Sequence, residues 1–359
     1  MKKIIQIVLS TLFVQALGIA NASAQANEDW VAINLAVTDQ HIIPAYGELA
    51  HSAGRLSEVS ASFCSDVNID SLDELKQVYH SAMDAWQAIQ HVQFGPITYF
   101  NWNYRLQYWP DEKGSSGRQL SSLIASKDQG IVDSNTFARQ SVGVQGLPAL
   151  ERLLFDEDSL SMLQNDSYRC QLVQVIAKNI HEIAVGVHQR WSGDFREALG
   201  LESDSSAYES AEDATIDFMK ALVETLPKIT QQKIMDVQGE SFERARLKKA
   251  ESWRSERSLK NLKINLISLS QMLGNSSEHD LSLGSALLPD DVAEIKVAFS
   301  ELVSSVQSLP DSMAVVLADK NQYQQLQALQ VQLANLDELL EDALKNTDLY
   351  LGFNSLDGD

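Results

Sequence analysis

The chain has 359 residues, of which 44% are hydrophobic and 21% are charged, and its formal net charge is −21. This surplus of acids excludes nucleic acid as an expected partner, because neutralising phosphates requires a surplus of Lys and Arg. The length exceeds that of one typical domain, so two domains are expected.

The first 24 residues are typical of a cleavable secretory signal. Lys2 and Lys3 precede an apolar run over residues 4–20, and an A-x-A cleavage motif at 22–24 predicts a mature chain beginning at Gln25. No cysteine follows the apolar run, so a lipid anchor is not expected. No later stretch approaches the roughly 18 apolar residues that a membrane span needs. We expect a periplasmic or cell-envelope protein whose net charge, without Lys2 and Lys3, moves from −21 to −23.

Helical periodicity runs through almost the whole mature chain, and no convincing alternating strand pattern occurs. In the first half the pattern predicts helices over residues 43–63, 71–89, 117–125, 148–155 and 168–199. In the second half it predicts helices over residues 207–226, 228–250, 255–273, 290–309 and 311–346. Long helices with short connections are typical of bundles, so the predicted fold class is all-α with two four-helix-bundle-like halves.

A short polar stretch at residues 201–206 is the best candidate for the linker between these halves. We therefore predict a signal peptide over 1–24, an N-terminal helical domain over 25–203 and a C-terminal helical domain over 204–359.

The chain has two cysteines, Cys64 and Cys170. In an oxidising compartment their pairing is the favoured interpretation, and two buried free thiols are the alternative.

A glycine-rich loop enters a helix near residue 146. Pro148 suits a first helical turn, and Glu151 is predicted to fall in that same turn, where a carboxylate is favoured by the exposed N–H groups and the helix dipole. The apolar residues that follow would face the core. This pattern fits either a capped core helix without further role or a binding site built around Glu151.

Two groups of residues could carry further chemistry. His80 and Asp84 are four residues apart on one predicted helix, as two metal ligands or a surface pair would be. An aromatic segment ending at Trp109 contains Arg105; it would form either a ligand platform or a plug of the core. If Arg105 is buried it needs a partner, for which Glu151 is a candidate.

A basic run and the C-terminal tail complete the candidates. The run comprises eight Lys and Arg residues between 244 and 263. It reads either as a solvated helix face or as a surface that binds anions or docks against the acidic first half. The tail at 351–359 carries two glycines and an aromatic, which suggests a docked turn, with disorder as the alternative.

The chain resembles the imelysin-like family of exported bacterial proteins. The resemblance is carried in order by Trp86, the segment 94–96, Arg105 with Trp109-Pro110, residues 146–151, residues 251–255 and the ending 352–354. It implies an all-α fold of two related bundles with a cleft between them. It also implies an envelope role linked to uptake of iron or another metal, in a family also classed with peptidases.

The family signature is G-x-H-x-x-E, whose His and Glu are proposed metal ligands. Gly146 and Glu151 match it, but Pro148 stands at the histidine position. Because proline has no side-chain donor atom, the main proposed ligand is missing. Iron or zinc remain candidate ions, with Glu151, His80 and Asp84 as candidate ligands.

We therefore expect a non-catalytic binding or accessory component of metal acquisition, with envelope proteins of metal uptake as partners. An envelope interaction module is the alternative, and a metallopeptidase using Glu151 is a third hypothesis. The expected binding residues are Gly146, Pro148, Glu151, Arg105, Trp109, Trp253 and Arg254.

Overall fold

A computed structural model describes residues 30–199, 208–274, 281–347 and 349. Across these ranges the regular structure is helical and contains no strand, so the predicted all-α class is confirmed. None of the helices in these ranges is long and apolar enough to cross a membrane. The predicted signal peptide, the linker at 201–206 and the tail at 351–359 lie outside the described residues.

The first half is built on a long antiparallel layer. Its main helices are α1 (Ile43–Phe63), α2 (Ile69–Gln87), α3 (Ser115–Ser126), α4 (Gly146–Phe155) and α5 (Ser167–Ser192). Helix α1 packs against both α2 and α5, and α4 packs against α5. The predicted pairing of Cys64, at the end of α1, with Cys170, near the start of α5, is confirmed.

Several helix boundaries in this half differ from the sequence prediction, most clearly in α2 and α5. Helix α2 begins at Ile69, two residues before the predicted start, because Asn68 is its N-cap. Asn68 Oδ1 accepts the Ser71 N–H at 3.0 Å, and Ser71 Oγ accepts the Asn68 N–H. The predicted helix 168–199 ends at Ser192, and a separate short helix, Asp194–Leu199, follows Gly193.

The second half contains α6 (Ala211–Val223), a π-helical segment (Ile229–Met235), α7 (Ser258–Leu273), α8 (Pro289–Gln307) and α9 (Lys320–Lys345). The predicted helix 228–250 is wrong beyond Gln238. Gly239 has a φ of +65°, and the chain continues in short 3-10 turns. The predicted helix 311–346 divides at Asp319, whose carboxylate caps α9 by accepting the N–H groups of Asn321 and Gln322.

The buried hydrophobic side chains form one cluster to which helices of both halves contribute. Helix α7 of the second half packs against α2 of the first. Buried polar contacts also cross between the halves: Asn34 donates to the Ala211 carbonyl at 2.8 Å, and Thr215 donates to Asn34 Oδ1 at 2.8 Å. The irregular turns after Gly239 therefore lie against a continuous core, where they form one side of a cavity.

Candidate functional site

A cavity of about 210 Å³ lies between segments of the two halves. The first half contributes the segment around Trp109, the start of α3 and one face of α4; the second half contributes the π-helical segment and residues 248–254. Five of the predicted binding residues line it: Trp109, Pro148, Glu151, Trp253 and Arg254. Three of the segments that carry the family resemblance thus meet at this cavity: Trp109-Pro110, residues 146–151 and residues 251–255.

The entry to α4 explains why glycine stands at position 146. Gly146 has a φ of +72°, a conformation that side chains rarely adopt. A Cβ atom there would also collide with the carbonyl oxygens of Arg105 and Leu106. Pro148 is the third residue of α4, where a missing N–H breaks no helical hydrogen bond. The motif therefore needs its glycine for close backbone packing, and its proline forms part of the cavity wall.

Glu151 lies in the second turn of α4, so the prediction that it sits in the first turn is wrong. It is only 5% exposed, and its Oε1 accepts hydrogen bonds from the Ser255 N–H at 3.0 Å and the Ser255 hydroxyl at 2.7 Å. Burial raises the pKa of Glu151, although the bonds from Ser255 and the nearby Arg254 and Arg152 oppose that rise. Glu151 therefore links the two halves through Ser255.

The predicted pairing of Arg105 with Glu151 is wrong. The Arg105 guanidinium instead donates to Gln145 Oε1 at 3.0 Å and to Asn179 Oδ1 at 2.8 Å. Asn179 on α5 also donates to Gln145 Oε1 at 3.0 Å, which closes a polar cluster behind the N-terminus of α4. Arg105 therefore holds the loop that enters α4 and does not line the cavity.

The segment carrying Trp253 and Arg254 turns sharply. Ser252 and Glu256 both have positive φ values, 50° and 55°. The Arg254 guanidinium lies 4.2 Å from the centre of the Trp253 ring and donates to Asp156 Oδ1 at 2.6 Å. This ion pair joins the segment to the first half, next to the bond between Ser255 and Glu151.

A second buried carboxylate, Glu251, was not recognised from the sequence. It is 2% exposed and accepts hydrogen bonds from Lys233 at 2.8 Å, Gln107 at 2.7 Å and Asn261 at 2.9 Å. Burial alone would raise the pKa of Glu251, but the Lys233 ammonium and the amide donors outweigh it and lower that pKa. Glu251 is therefore ionised. Protein donors take the place of water around its carboxylate, which forms part of the cavity wall.

The sequence signals at Glu251 were its position within the basic run and its place in the resemblance segment 251–255, and neither indicated a buried anchor. Its partner Lys233 lies in the π-helical segment, a type of local distortion that is common at functional sites. Nothing in the spacing of Lys233 and Glu251 indicates that they would meet, because the turns after Gly239 bring them together.

His80 and Asp84 are neither a metal pair nor a simple surface pair. Arg257, only 2% exposed, donates to the Nδ1 and the carbonyl of His80 at 3.0 Å each and also to Asp84. Lys260 donates to Asp84 Oδ2 at 2.8 Å. Burial, reinforced by the positive Arg257 and Lys260, lowers the pKa of His80 to about 4, so its neutral ring accepts the bond from Arg257.

The basic run therefore docks against the first half, as one of the two interpretations predicted. Arg254 pairs with Asp156, and Arg257 and Lys260 pair with Asp84. The alternative, a solvated helix face, is wrong for these three residues. The docking follows from charge complementarity, since each of them meets a carboxylate of the first half.

The donor set does not fit an iron or zinc site. Glu151 is held by Ser255, whereas His80 and Asp84 are held by Arg257. Within the described ranges, no group of three or more His, Cys, Asp and Glu residues is placed to hold a metal ion. A zinc site normally takes at least three protein ligands.

Comparison with known proteins gives a consistent picture. A family model described as Imelysin, the peptidase M75 family, matches residues 42–340. A curated protein, "Iron-regulated protein A" of Synechococcus elongatus, is 25% identical over 236 residues, which is 63% of this chain but only 59% of that protein. The matched region is thus less than two thirds of that relative's length.

Two solved structures share the fold. An imelysin-like protein from Psychrobacter arcticum aligns with a TM-score of 0.73 at 19% identity, covering 91% of this chain and 98% of that one. An iron-regulated protein A precursor from Parabacteroides distasonis aligns with a TM-score of 0.69 at 14% identity, covering 88% and 95% of the two chains.

Proposed function

The chain belongs to the imelysin family, and from that premise we propose that it is an exported, non-catalytic binding or accessory component of iron acquisition. The names of two relatives refer to regulation by iron, which supports the link to iron. The signal-like N-terminus supports a periplasmic location, with the two helical halves meeting around the cavity as its binding site.

One observation carries the non-catalytic part of the proposal. The carboxylate of Glu151, which the family motif would offer to a metal, accepts two hydrogen bonds from Ser255 of the other half, and the residue at the histidine position is Pro148. In this chain the motif joins the two halves through Glu151 and lacks the histidine side chain proposed as a metal ligand. A metallopeptidase would need about three ligands, an open coordination position and a general base.

The link to iron is tested in the bacterium that encodes the protein. We expect a strain lacking the gene to grow as well as its parent in iron-rich medium and more slowly when iron is limiting. Complementation with the intact gene should restore growth. Equal growth of both strains under iron limitation would contradict the role in iron acquisition.

The absence of catalysis is tested separately. Purified mature protein, incubated with an unfolded protein substrate in the presence of added Zn²⁺ or Fe²⁺, should produce no fragments. Cleavage that disappears with a chelator and in a Glu151→Gln variant would establish a metallopeptidase and refute the proposal.

A further inference from the structure

We infer that the cavity between the two halves binds a small organic polycarboxylate through Arg152, Lys248 and Lys249 beside the ring of Trp253. This inference rests on the proposed function for its biological meaning, since it names the class of ligand that the same cavity would take. A protein that does not itself ligate iron can still bind the anionic molecules that chelate it, because carboxylate oxygens suit such hard cations.

The first observation is that Arg152 lines the cavity with hydrogen-bond donors that no described residue uses. It follows Glu151 on α4, lines the cavity and is about half-buried, with its guanidinium against the backbone of Gly117. Among the described residues no side chain or carbonyl accepts a hydrogen bond from it. Burial, and then the neighbouring positive charge of Arg254, lower the pKa of Arg152, while the nearby carboxylates of Asp156, Glu151 and Asp111 oppose that shift. A guanidinium carries five donors in a planar fork that matches a carboxylate, so an anionic ligand would satisfy it.

The second observation is the balance of charge around Trp253. Lys248 lies 5.9 Å and Arg254 4.2 Å from the centre of that ring, so positive charge gathers at this end of the cavity. Lys249 lines the same cavity, and neither lysine forms an ion pair within the part of the chain that the structure describes.

Two carboxylates in or beside the cavity are paired with a cation. Glu251 is paired with Lys233 at 2.8 Å, and Asp156 with Arg254 at 2.6 Å. Asp111 accepts the N–H groups of Ser115 at 2.9 Å and Ser116 at 2.8 Å at the start of α3.

Three other carboxylates complete the wall. Glu151 is buried, and its Oε1 already accepts two hydrogen bonds from Ser255. Glu112 and Asp236 also line the cavity, and Asp236 accepts a hydrogen bond from Gln231 at 2.9 Å. Arg152, Lys248 and Lys249 form no ion pair at contact distance in the described ranges, so their N–H donors are open to a ligand.

The third observation is the size and surface of the cavity. Its volume of about 210 Å³ is below the range of about 300–1,000 Å³ that is typical of sites for drug-sized ligands. Trp109 and Trp253 give it aromatic surface against which a short carbon skeleton can pack. A small organic acid with two or three carboxylates fits both the volume and the charge better than a bare inorganic anion does.

The test is calorimetric titration of the mature full-length protein with citrate at low ionic strength. We expect a dissociation constant below 1 mM that weakens as salt is added, and no binding of glycerol, which has hydroxyls but no charge. Arg152→Gln should weaken citrate binding at least tenfold. Lys345→Gln, which removes an exposed lysine from the far end of α9, should leave it unchanged.

A second variant keeps the test decisive if Arg152→Gln does not fold. Lys248→Gln changes an exposed side chain and should weaken citrate binding about threefold to tenfold with an unchanged melting temperature. A citrate dissociation constant of 1 mM or weaker, citrate affinity in both variants equal to that of the unaltered protein, or inorganic phosphate binding as tightly as citrate would each overturn the inference.

The outcome is separable from that of the proposed function. If citrate does not bind but the deletion strain still grows poorly without iron, the ligand class is wrong and the iron role stands. If citrate binds as expected but the deletion strain grows normally, the site is correct and the iron role is wrong.

Discussion

Replacing Glu151 by alanine tests whether this residue joins the two halves. The substitution removes the acceptor of two hydrogen bonds, from the Ser255 N–H at 3.0 Å and from its hydroxyl at 2.7 Å. Hydrogen bonds to charged groups contribute about 1.5–3 kcal/mol each, and an orphaned buried N–H adds to the loss. Against this stands the cost of burying the carboxylate, which also raises its pKa. We expect a net loss of about 2–3 kcal/mol in the free energy of unfolding.

The matched variant is Glu151→Gln, which keeps a carbonyl oxygen able to accept both bonds and removes the buried charge. It should change the free energy of unfolding by less than about 1 kcal/mol. Urea unfolding of both variants, followed by circular dichroism, gives the two numbers. Equal stability of Glu151→Ala and the unaltered protein would refute the reasoning, because a carboxylate reserved for a ligand contributes little to folding.

Three further predictions concern stability and pH. Burial, and then the nearby Glu341, raise the pKa of Asp337 to about 6, so the folded state loses stability as the pH rises through 6. Urea unfolding should therefore show that Asp337→Asn stabilises the protein by about 1 kcal/mol at pH 7, a figure discounted for the exposure of Asp337, and does not stabilise it at pH 4. A variant no more stable at pH 7 would contradict this. The pKa of His80 is lowered to about 4 in the folded protein, so between pH 6.5 and 4 the unfolded chain binds a proton at His80 and the folded protein does not. Between pH 6.5 and 4 the unaltered protein should lose about 2 kcal/mol more than His80→Gln, and parallel pH profiles of the two would show that His80 does not contribute. Replacing both Cys64 and Cys170 by serine opens a loop with a sequence separation of 106 and should lower the free energy of unfolding by about 3–5 kcal/mol, as measured by thermal or urea unfolding. An unchanged transition would mean that the disulfide constrains the unfolded chain little.

The helical architecture was predictable because its signals are local. The apolar spacing predicted the helix over residues 43–63, where the structure has α1 (Ile43–Phe63), but not the helical stretch that leads into it, which includes the π-helical segment Thr38–Ile42. The pairing of Cys64 with Cys170 followed from the expected compartment. By contrast, the basic composition after Gly239 suits a helix, and only the tertiary structure shows that this segment is used for turns that reach the first half.

The contacts of the site were less predictable because they join residues far apart in the chain. The glycine motif identified the right place, and Glu151 and Arg254 do meet at the cavity. Charge alone suggested Arg105 as the partner of Glu151, but the close packing of Gly146 against the Arg105 backbone places that guanidinium on the other side of the α4 entry. No local pattern pointed to Lys233 as the partner of Glu251.

We propose that the motif from Gly146 to Glu151 serves here as a structural link and does not ligate metal. Calorimetric titration of signal-free, tag-free protein with Fe²⁺ and Zn²⁺ tests this proposal most directly. We predict no affinity tighter than millimolar for either ion. A micromolar dissociation constant that is lost in Glu151→Gln would contradict it, since Glu151 would then ligate the metal despite its bonds to Ser255.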